Sequence, residues 1–565
     1  MFTSKRSRST ALQQWYLAWG KVGTLSGATW QDEQIAIFLD HQSDAVPQVA
    51  LSPSGRFVVT GSVWLSHPGE LAQLQEWNGS APESMQLVAV AWEYWGVETF
   101  AKLVGMFGLA VWDRDRQTLF LGRDRTGAQT VYYTTSGTTR WAASNLRSLT
   151  PHHSTLDLVA LRDYLCCAFV PGARTMWENI RELRPGTVLS LPEEQIQKYW
   201  QLHECIVAGD RSLEWHGEQL RTLLEQVVQE YLPAKEEPVG VFLSGGLDSS
   251  SSVTALASKF HPAPVHTYSI HFGEKCPNEL EFSSLVAKHC ATQHHILEIT
   301  FRQMWEQLPE TMKLLDDPIG DPLTVPNLLL GRLARSVGVV LNGEGGDPCF
   351  GGPKNQPMLI NQLYGAVTQH NSLQAYLIAF QKCASDLPQL LKPDILTAVR
   401  HQPHVFTEDL ESTASYLNRL MALNIKYKGA DHILTKVNNL MRAAGLQGRS
   451  PLFDQRIVER SMQIPPEYKL SGVQEKAVLK QAVADLLPEQ ILHRPKSGMM
   501  VPVQLGFQQY WQREAKALLL NPKAAIAPNL NQSIIQQWLD YRGDTWQRYG
   551  VKLWLLASLE YWLQA

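Results

Sequence analysis

The chain has 565 residues, more than one hydrophobic core usually supports, so at least two domains are expected. A formal net charge of −4 and a hydrophobic content of 44% argue against a nucleic-acid partner. The seven cysteines are odd in number and lack C-x-x-C spacing, which argues against a zinc site or a disulfide framework and favours a reducing cytoplasm. No apolar stretch of about 18 residues predicts a membrane span, and no secretion signal is recognisable.

The first 200 residues contain short alternating apolar runs that are broken by turn residues. Such runs occur at residues 56–65, 108–124 and 130–144, and their spacing is typical of antiparallel strands and hairpins. One interval, from about Met85 to Val104, has apolar residues at helical spacing. The simplest packing of these elements is a layered α/β sandwich.

The pattern changes near residues 205–215. A predicted amphipathic helix over residues 216–232 is followed by a polar, proline-bearing connector. Short apolar strands at 239–243, 265–272 and 336–343 then alternate with helical patterns, which predicts a parallel sheet. After about residue 360 the pattern is almost wholly helical. We therefore predict two domains, over residues 1–205 and 215–565, the second being an α/β nucleotide domain with a helical continuation.

The strongest local signal is the string SGGLDSS at residues 244–250, between a predicted strand and a predicted helix. Glycines let backbone N–H groups approach phosphate oxygens, hydroxyls add donors, and the helix dipole favours an anion. No lysine follows as in G-x-x-x-x-G-K-[ST], so transfer of a γ-phosphoryl group is not indicated. The alternative is a turn that caps a helix without a ligand. The candidate residues are Ser244, Gly245, Gly246, Asp248, Ser249 and Ser250, and Asp248 could hold Mg²⁺.

This string resembles the pyrophosphate loop of N-type ATP pyrophosphatases, which cleave ATP between the α and β phosphates and leave AMP on the acceptor oxygen. Residues 314–322, 339–352, 434–459 and 476–502 are similar, in order and spacing, to further signatures of the asparagine synthetase family. The resemblance spans residues 215–510. It implies an ATP-pyrophosphatase domain that uses ATP and Mg²⁺ to adenylate a carboxylate and then joins the acyl group to an amine.

Glu344 and Asp347 follow the strand at 336–343, at the edge where open parallel sheets bind ligands. The resemblance implies that Asp347 and Asp248 bridge Mg²⁺ on the pyrophosphate, while Glu344 positions or deprotonates the attacking amine. It also implies that Lys496 neutralises charge on the departing pyrophosphate and the tetrahedral oxyanion. The alternatives are acids and a lysine on an ordinary surface. Contacts with the adenylate are implied for four residues that could otherwise be plain core packing: Phe242, Ile270, Asn342 and Gly343.

Residues 103–133 resemble the glutaminase domain of the same family, an Ntn-hydrolase-like fold in which an N-terminal cysteine thiolate makes ammonia from glutamine. The second residue here is Phe2, and no cysteine precedes Cys166. The family's glutamine-holding groups fall on Gln34, on Thr-Gly-Ser at residues 60–62 and on Glu-Ser at residues 83–84. Because the nucleophile and the recognition groups are lost together, we predict that this domain is structural.

The acceptor side also departs from the family pattern. The usual Gly-Ala-Asp-Glu becomes Gly-Gly-Asp-Pro at residues 345–348, and Gln447 replaces a glutamate, which puts aspartate in question as the substrate. Relatives without glutaminase activity include β-lactam synthetases and lasso-peptide cyclases, which use an amine of the substrate itself. Glu344 stands where the β-lactam branch has a tyrosine, so peptide cyclisation is the favoured departure from asparagine synthesis.

We therefore expect an asparagine-synthetase-like, AMP-forming amide ligase, with a lasso-peptide macrolactam cyclase as the alternative. Its partners would be a small-molecule or peptide carboxylate and an amine or ammonia donor, with a delivery protein as well in the case of a cyclase. A catalytically silent scaffold or regulatory binding protein is the alternative from another class. Residues 353–358 are a candidate lid that would exclude water, and an ordinary surface loop is the alternative.

Overall fold

The computed structural model describes residues 14–20, 22, 25–39, 49–67, 69–74, 83–135, 137–150, 155–206, 209, 211–274, 276–352, 372–471, 474–494, 500–541 and 548–565. For residues 69, 70, 248, 249 and 471 it describes the backbone only. The chain divides into two compact units. The first comprises Met1–Leu156, Gly172–Leu202 and Gly445–Gln447, and the second comprises Asp157–Pro171, His203–Ala444 and Gly448–Ala565.

The first unit contains two six-stranded sheets, here called sheet A and sheet B. Their strands are β1 (Trp15–Gly20), β2 (Trp30–Gln31), β3 (Ile35–Leu39), β4 (Val49–Leu51), β5 (Phe57–Leu65), β6 (Gly105–Asp113), β7 (Thr118–Arg123), β8 (Tyr132–Thr134), β9 (Thr139–Ala143), β10 (Ile180–Glu182), β11 (Thr187–Leu191) and β12 (Gln195–Lys198). Sheet A has the order β10-β8-β9-β1-β3-β2, and sheet B has the order β12-β11-β7-β6-β5-β4. The long central pairings are antiparallel, as the alternating apolar runs predict.

Two buried clusters on opposite faces of sheet B hold the first unit together. One cluster joins the two sheets, with Trp15 from sheet A and Trp112 from sheet B among its members. The other lies between sheet B and α1 (Ser84–Trp95). Successive residues of β5 point to opposite faces, so Val58 enters the first cluster and Val59 the second. This alternation produces the layered sandwich.

The helix predicted from about Met85 to Val104 is confirmed, with a break. After α1 ends, a 3₁₀ turn spans Gly96–Glu98, and α2 covers Thr99–Lys102. Gly96 has a φ of 54°, a positive value that glycine tolerates at a helix end. Phe100 of α2 then covers Gly122 of β7, where an added Cβ would lie 2.3 Å from the ring.

The second unit is built on a five-stranded sheet of β13 (Val239–Phe242), β14 (Val265–His271), β15 (Gln293–Glu298), β16 (Val339–Leu341) and β17 (Gln447–Arg449). The order is β15-β14-β13-β16-β17, so β13 lies in the middle. It pairs in parallel with β14 and β16, and β14 pairs in parallel with β15. A separate two-stranded ribbon joins β18 (Leu470–Ser471) to β19 (Gln474–Glu475).

Helices alternate with the strands of this sheet, as parallel connections require. α4 (Leu213–Tyr231) precedes β13, α5 (Ser252–Phe260) follows β13, α6 (Leu280–His289) follows β14, α7 (Phe301–Leu314) and α8 (Thr324–Leu333) lie between β15 and β16, and α9 (Gly346–Phe350) follows β16. The unit also contains α3 (Leu158–Cys167), which precedes β10 in the chain. Thr300 begins α7 with a capping box that it shares with Gln303. A short π-helix, Leu247–Ser251, precedes α5.

The C-terminal part of the described chain is helical. Its helices are α10 (Ser372–Ala379), α11 (Leu387–Leu390), α12 (Pro393–Val399), α13 (Thr407–Leu410), α14 (Tyr416–Leu423), α15 (Thr435–Ala443), α16 (Gln455–Gln463), α17 (Ala477–Val483), α18 (Glu489–His493), α19 (Val503–Gln509), α20 (Gln512–Leu519), α21 (Gln532–Leu539) and α22 (Tyr549–Leu563). A π-helix over Asn424–Leu434 joins α14 to α15. Most of α22 is buried, which makes it the centre of this helical part.

The predicted fold class is confirmed, because an α/β sandwich is followed by a parallel-sheet domain with a helical continuation. The alternating apolar runs of the first 200 residues predict the sandwich, and the strands alternating with helices predict the parallel sheet. None of the helices in the described stretches combines the length and the apolar character needed to cross a bilayer.

Candidate active site

Two loops that carry polar residues lie side by side at one edge of the five-stranded sheet. β13 and β16 are neighbours that run in the same direction, with Val239 opposite Val339. Residues 244–250 after β13 are called the glycine-serine loop here, and residues 342–347 after β16 are called the acidic loop. Because parallel strands end at the same edge, the two loops meet where open parallel sheets bind ligands.

Hydrogen bonds close the glycine-serine loop on itself. The N–H of Ser244 donates to Oγ of Ser250 over 3.0 Å, and the two hydroxyl oxygens are 3.1 Å apart. The N–H of Gly246 points at Oγ of Ser244, 3.3 Å away. Helical structure starts at Leu247, so the loop leads directly into a helix N-terminus. Such a turn offers donors and a favourable dipole to an anion.

Gly245 and Arg494 hold the glycine-serine loop against α6. Gly245 has a φ of +77°, and an added Cβ would lie 2.5 Å from the backbone nitrogen of Ser283, so the position requires glycine. Nη1 of Arg494 donates to the carbonyl oxygen of Gly245 over 2.9 Å, and Nη2 is 2.5 Å from Glu279. The guanidinium also lies 3.8 Å from the ring centroid of Phe282. These contacts fix the backbone of the glycine-serine loop against α6.

The two predicted adenylate contacts on strands lie at the same sheet edge. Phe242 is the last residue of β13 and is half-buried, with its ring edge-on to Tyr268 at 6.4 Å. Ile270, near the end of β14, is buried. The N–H of Leu243 donates to the carbonyl oxygen of Tyr268 over 2.8 Å, which extends the pairing of β13 and β14 up to the loop. The structure brings these residues together, and their contact with a nucleotide stays a prediction.

Asn342 braces the acidic loop. Its N–H and its Nδ2 both donate to the carbonyl oxygen of Arg449, over 3.0 and 3.2 Å, and its Oδ1 accepts the N–H of Glu344 over 3.0 Å. Nη1 of Arg449 in turn donates to the carbonyl oxygen of Tyr231 over 2.6 Å. Burial lowers the pKa of Arg449 to about 9. The side chain of Asn342 thus orients Gly343 and Glu344, and its predicted contact with the adenylate remains untested.

Asp347 is paired with Lys476, a residue that sequence reasoning did not single out. Nζ of Lys476 and Oδ1 of Asp347 are 2.5 Å apart. The Lys476 side chain is fully buried, whereas that of Asp347 is 23% exposed. Gly345 precedes α9 with a φ of +113°, and an added Cβ there would lie 2.9 Å from Leu452. The backbone at Gly352 packs closely against the Asp347 carboxylate, where a Cβ would lie 2.4 Å away. The carboxylate is therefore tightly held.

A second buried ion pair lies near the acidic loop. Nζ of Lys436 donates to Oδ2 of Asp321 over 2.8 Å, and only 3% of the lysine side chain is exposed. Nε2 of His432, at the end of the π-helix, is 3.2 Å from the same oxygen. The other oxygen, Oδ1, accepts the N–H of Leu323 over 3.0 Å at the start of α8. Asp321 thus joins α8 to the segment that carries Lys436.

The charges in this cluster shift one another's pKa values. Burial would raise the pKa of Asp321, but Lys436 and His432 outweigh burial and hold it well below its usual range. Burial would lower the pKa of Lys436, but the charges of Asp321 and Glu344 outweigh it and raise that pKa. Burial lowers the pKa of His432 to about 4. At neutral pH the cluster therefore holds an ionised pair beside a neutral imidazole.

Several predicted residues lie outside what the structure describes. Lys496, Phe2 and the candidate lid at residues 353–358 are outside the described residues altogether. Asp248 and Ser249 lie in the helical turn after Leu247, but their side chains are outside the described part of the chain. The roles of these residues stay predictions.

In the first unit, the positions that would hold glutamine in the family carry other residues than the family's, and apart from Glu83 these are uncharged. Nε2 of Gln34 donates to Oε1 of Gln117 over 3.0 Å at the surface. Thr60 and Ser62 are buried within β5, with Gly61 between them. Residues 83–84 stand at the start of α1, with Glu83 preceding its first turn. That this domain is inactive stays a prediction.

Comparison with known proteins identifies the family. The family model described as asparagine synthase matches residues 219–564, more than half of the chain. The chain belongs to the asparagine synthase family. The model described as a glutamine amidotransferase domain matches residues 60–200. As a member of the asparagine synthase family, the chain is an ATP-dependent carbon–nitrogen ligase.

Its relatives are similar over most of the chain. Asparagine synthetase [glutamine-hydrolyzing] 1 of Bacillus subtilis (strain 168) is 25% identical over 456 residues, which cover 74% of this chain and 71% of the relative. A putative asparagine synthetase [glutamine-hydrolyzing] of Mycobacterium tuberculosis (strain ATCC 25618 / H37Rv) is 26% identical over 479 residues, covering 77% and 72%. Amidase chry2 of Gibberella zeae is 24% identical and covers 54% of this chain and 50% of its own length.

The site residues missed from the sequence all lie inside the asparagine synthase match. Lys436 falls in the family-like segment 434–459, and Lys476 and Arg494 fall in the segment 476–502. Those segments resemble the family, but a lysine or arginine within them gives no local sign of the distant residue that it contacts. The sequence therefore indicates that these segments belong to the site, but not which of their residues make the contacts.

The first prediction concerns Gly245. Gly245→Ala should abolish ATP binding, because the new methyl group would displace the loop from α6. Gly273→Ala is the matched control, since Gly273 also has a positive φ, +88°, but an added Cβ meets only Glu298, at 3.6 Å. Isothermal calorimetry with ATP and MgCl₂ measures both affinities. Equal affinities in the two variants would contradict the steric role assigned to Gly245.

The second prediction concerns the Asp321–Lys436 pair. Lys436→Met should destabilise the protein by about 3–5 kcal/mol, because it leaves a buried carboxylate without its cation. The double variant Lys436→Met/Asp321→Asn should recover part of that loss. Lys516→Met, which breaks a half-exposed pair with Asp540 at 2.8 Å, should change stability far less. Urea unfolding measures all three, and an equal effect of the two lysine substitutions would refute the prediction.

The third prediction concerns pH. In the unfolded chain His432 takes up a proton near its ordinary pKa of about 6.5, whereas in the folded protein burial lowers that pKa to about 4. The unfolded state therefore binds more protons between these two pH values, and the free energy of unfolding falls as the pH is lowered from about 6.5 to about 4. The expected loss is on the order of 3 kcal/mol. His432→Phe should make urea midpoints depend less on pH between 6.5 and 4. Asp321, whose pKa is lowered, contributes stability that is lost only at lower pH, as its folded pKa is approached.

Proposed function

We propose that this ligase adenylates a carboxylate with ATP and then joins the acyl group to an amine, releasing pyrophosphate and AMP. The observation that carries the proposal is the meeting of the glycine-serine loop and the acidic loop at one sheet edge. One loop offers N–H and hydroxyl donors to phosphate oxygens, and the other offers carboxylates to a cation and to an amine. A reaction that joins three substrates needs these groups at one place.

The residues around the sheet edge fit a nucleotide and a divalent cation. The glycine-serine loop would hold the phosphates through Ser244, Gly245, Gly246, Ser249 and Ser250, and the adenylate would contact Phe242, Ile270, Asn342 and Gly343. Asp347 and Asp248 would hold Mg²⁺, which prefers carboxylate oxygens and offsets charge on the pyrophosphate. The Asp347 side chain is 23% exposed, so it is partly open to solvent.

The proposed chemistry has two steps. A carboxylate oxygen of the substrate bonds to the α-phosphorus while the bond from that phosphorus to the pyrophosphate oxygen breaks. The amine nitrogen then bonds to the acyl carbon, AMP departs with the electrons of the carbon–oxygen bond, and the amine loses a proton. We assign that proton to Glu344, whose N–H is fixed by Asn342. Lys496 would stabilise the negative charge that develops in both steps.

The two candidate reactions differ in the source of the amine. We propose that residues 1–205 form an inactive glutaminase-like domain and that residues 215–565 carry the activity, so ammonia or a substrate amine is used directly. A lasso-peptide macrolactam cyclase is the second candidate, favoured by the neutral residues at 60–62 and by the Gly-Gly-Asp-Pro sequence at 345–348. A cyclase would need a peptide substrate and a delivery protein. We place the enzyme in the cytoplasm, in keeping with its seven free cysteines.

The fourth prediction tests the reaction. Purified protein with ATP and MgCl₂ is supplied in parallel with aspartate and ammonium, with aspartate and glutamine, and with a leader-bearing peptide that has an acidic side chain. Mass spectrometry follows AMP, pyrophosphate and amide products. We expect an amide with ammonium, or loss of one water from the peptide, and no product that depends on glutamine.

Variants of the acidic loop separate the two steps. Glu344→Gln should retain pyrophosphate release and lose amide formation, because it removes only the proton acceptor. Asp347→Asn should lose both. Asparagine made from glutamine would refute the inactive glutaminase, and absence of AMP in all three mixtures would favour the scaffold.

A further inference from the structure

The pair of Lys476 and Asp347 places a cation on the carboxylate that the proposed function assigns to a metal. Nζ of Lys476 is 2.5 Å from Oδ1 of Asp347. The lysine side chain has no exposed surface, while the aspartate side chain keeps 23%. The aspartate side chain is therefore partly open to solvent while the ammonium is not, and the charge of the carboxylate is already offset by Lys476.

Lys476 is held in place by its backbone. It adopts a left-handed conformation, with φ at 55°, immediately before α17. Its N–H donates to the carbonyl oxygen of Lys469 over 2.6 Å, and its own carbonyl oxygen accepts the N–H of Lys480 over 2.9 Å. A lysine in this conformation is uncommon and is kept there by its surroundings. The ammonium therefore has little freedom to leave Asp347.

The residue that accepts from Lys476 is itself anchored. Lys469 is fully buried, and its Nζ is 2.5 Å from Oδ1 of Asn418. Nδ2 of Asn418 donates to Oε1 of Glu204 over 2.5 Å. Burial lowers the pKa of Lys469 to about 7, so this second lysine is only partly charged at neutral pH. The cation in direct contact with the Asp347 carboxylate is Lys476.

We propose that Lys476 makes metal binding conditional on the nucleotide, so that Asp347 accepts a divalent cation only together with ATP. Without nucleotide, an arriving divalent cation is repelled by the ammonium across a few ångströms of poorly screened space. The phosphates of ATP bring several negative charges to the same edge, so that the net electrostatic force on the divalent cation becomes attractive. The inference rests on the proposed function only for the assignment of Asp347 to the metal.

The fifth prediction tests this with Mn²⁺ as the probe, on the full chain. Paramagnetic resonance of free Mn²⁺ gives its affinity with and without a non-cleavable α,β-methylene analogue of ATP. We expect the unmodified protein to bind Mn²⁺ at least about tenfold more tightly with the analogue than without it. Lys476→Met should bind Mn²⁺ without nucleotide at least about tenfold more tightly than the unmodified protein does.

Three controls make the result specific. Lys552→Met removes another buried lysine, paired with Asp386 at 2.7 Å, and should behave like the unmodified protein. Lys476→Arg retains the charge and should do the same. Lys476→Met/Asp347→Asn should lose the gain of Lys476→Met. If circular dichroism shows that Lys476→Met does not fold, Lys476→Gln takes its place.

The inference is overturned if Lys476→Met binds Mn²⁺ no better than the unmodified protein, if Lys476→Arg behaves like Lys476→Met, or if the double variant keeps the gain. These outcomes do not depend on amide formation. A protein that is inactive with every substrate but shows the predicted Mn²⁺ pattern would refute the proposed function alone. An active ligase without that pattern would refute only the role of Lys476.

Discussion

The parallel pairing of β13 with β16 determines where the rest of the site can lie. Neighbouring strands are about 4.8 Å apart, so the loops that leave them at the same edge are within reach of one another. Each loop is also tied on its outer side. Oγ of Ser269 in β14 donates to the carbonyl oxygen of Leu243 over 2.5 Å, and the carbonyl oxygen of Arg449 in β17 accepts from Asn342. The donors for an anion and the carboxylates therefore keep a fixed spacing.

Buried cations surround the acidic loop. Lys436, Lys476 and Arg449 are each almost wholly buried, and each is offset by a partner: Asp321, Asp347 and the carbonyl oxygens at the end of α4. Burying charges is costly, and such groups add little to stability when an apolar core could replace them. Groups of this kind are common where a protein handles charged substrates. Here they stand beside the loops that are proposed to hold the phosphates of ATP and its metal ion.

The sequence predicts those features of the fold and the site that depend on neighbouring residues. Strands that alternate with helices, the SGGLDSS string and the acids after a strand could be read from neighbouring residues, and the sheet edge that joins them followed from topology. Contacts between distant residues could not be read. Arg494 lies 249 residues from Gly245, and Lys476 lies 129 residues from Asp347, so nothing near either cation marks it as part of the site. The bracing role of Asn342 within its own loop is a further contact that its residue type does not reveal, and its predicted contact with the adenylate stays untested.

Residues 60–62 are buried in β5 and leave little room for larger side chains. Thr60 and Ser62 are less than 4% exposed, and an added Cβ on Gly61 would lie 2.4 Å from the carbonyl oxygen of Gly108. A glutamate at position 62 would place a longer, charged group where an unpaired carboxylate costs several kcal/mol. Restoring the family's glutamine-holding groups at these positions would therefore take several interdependent substitutions and not a single one.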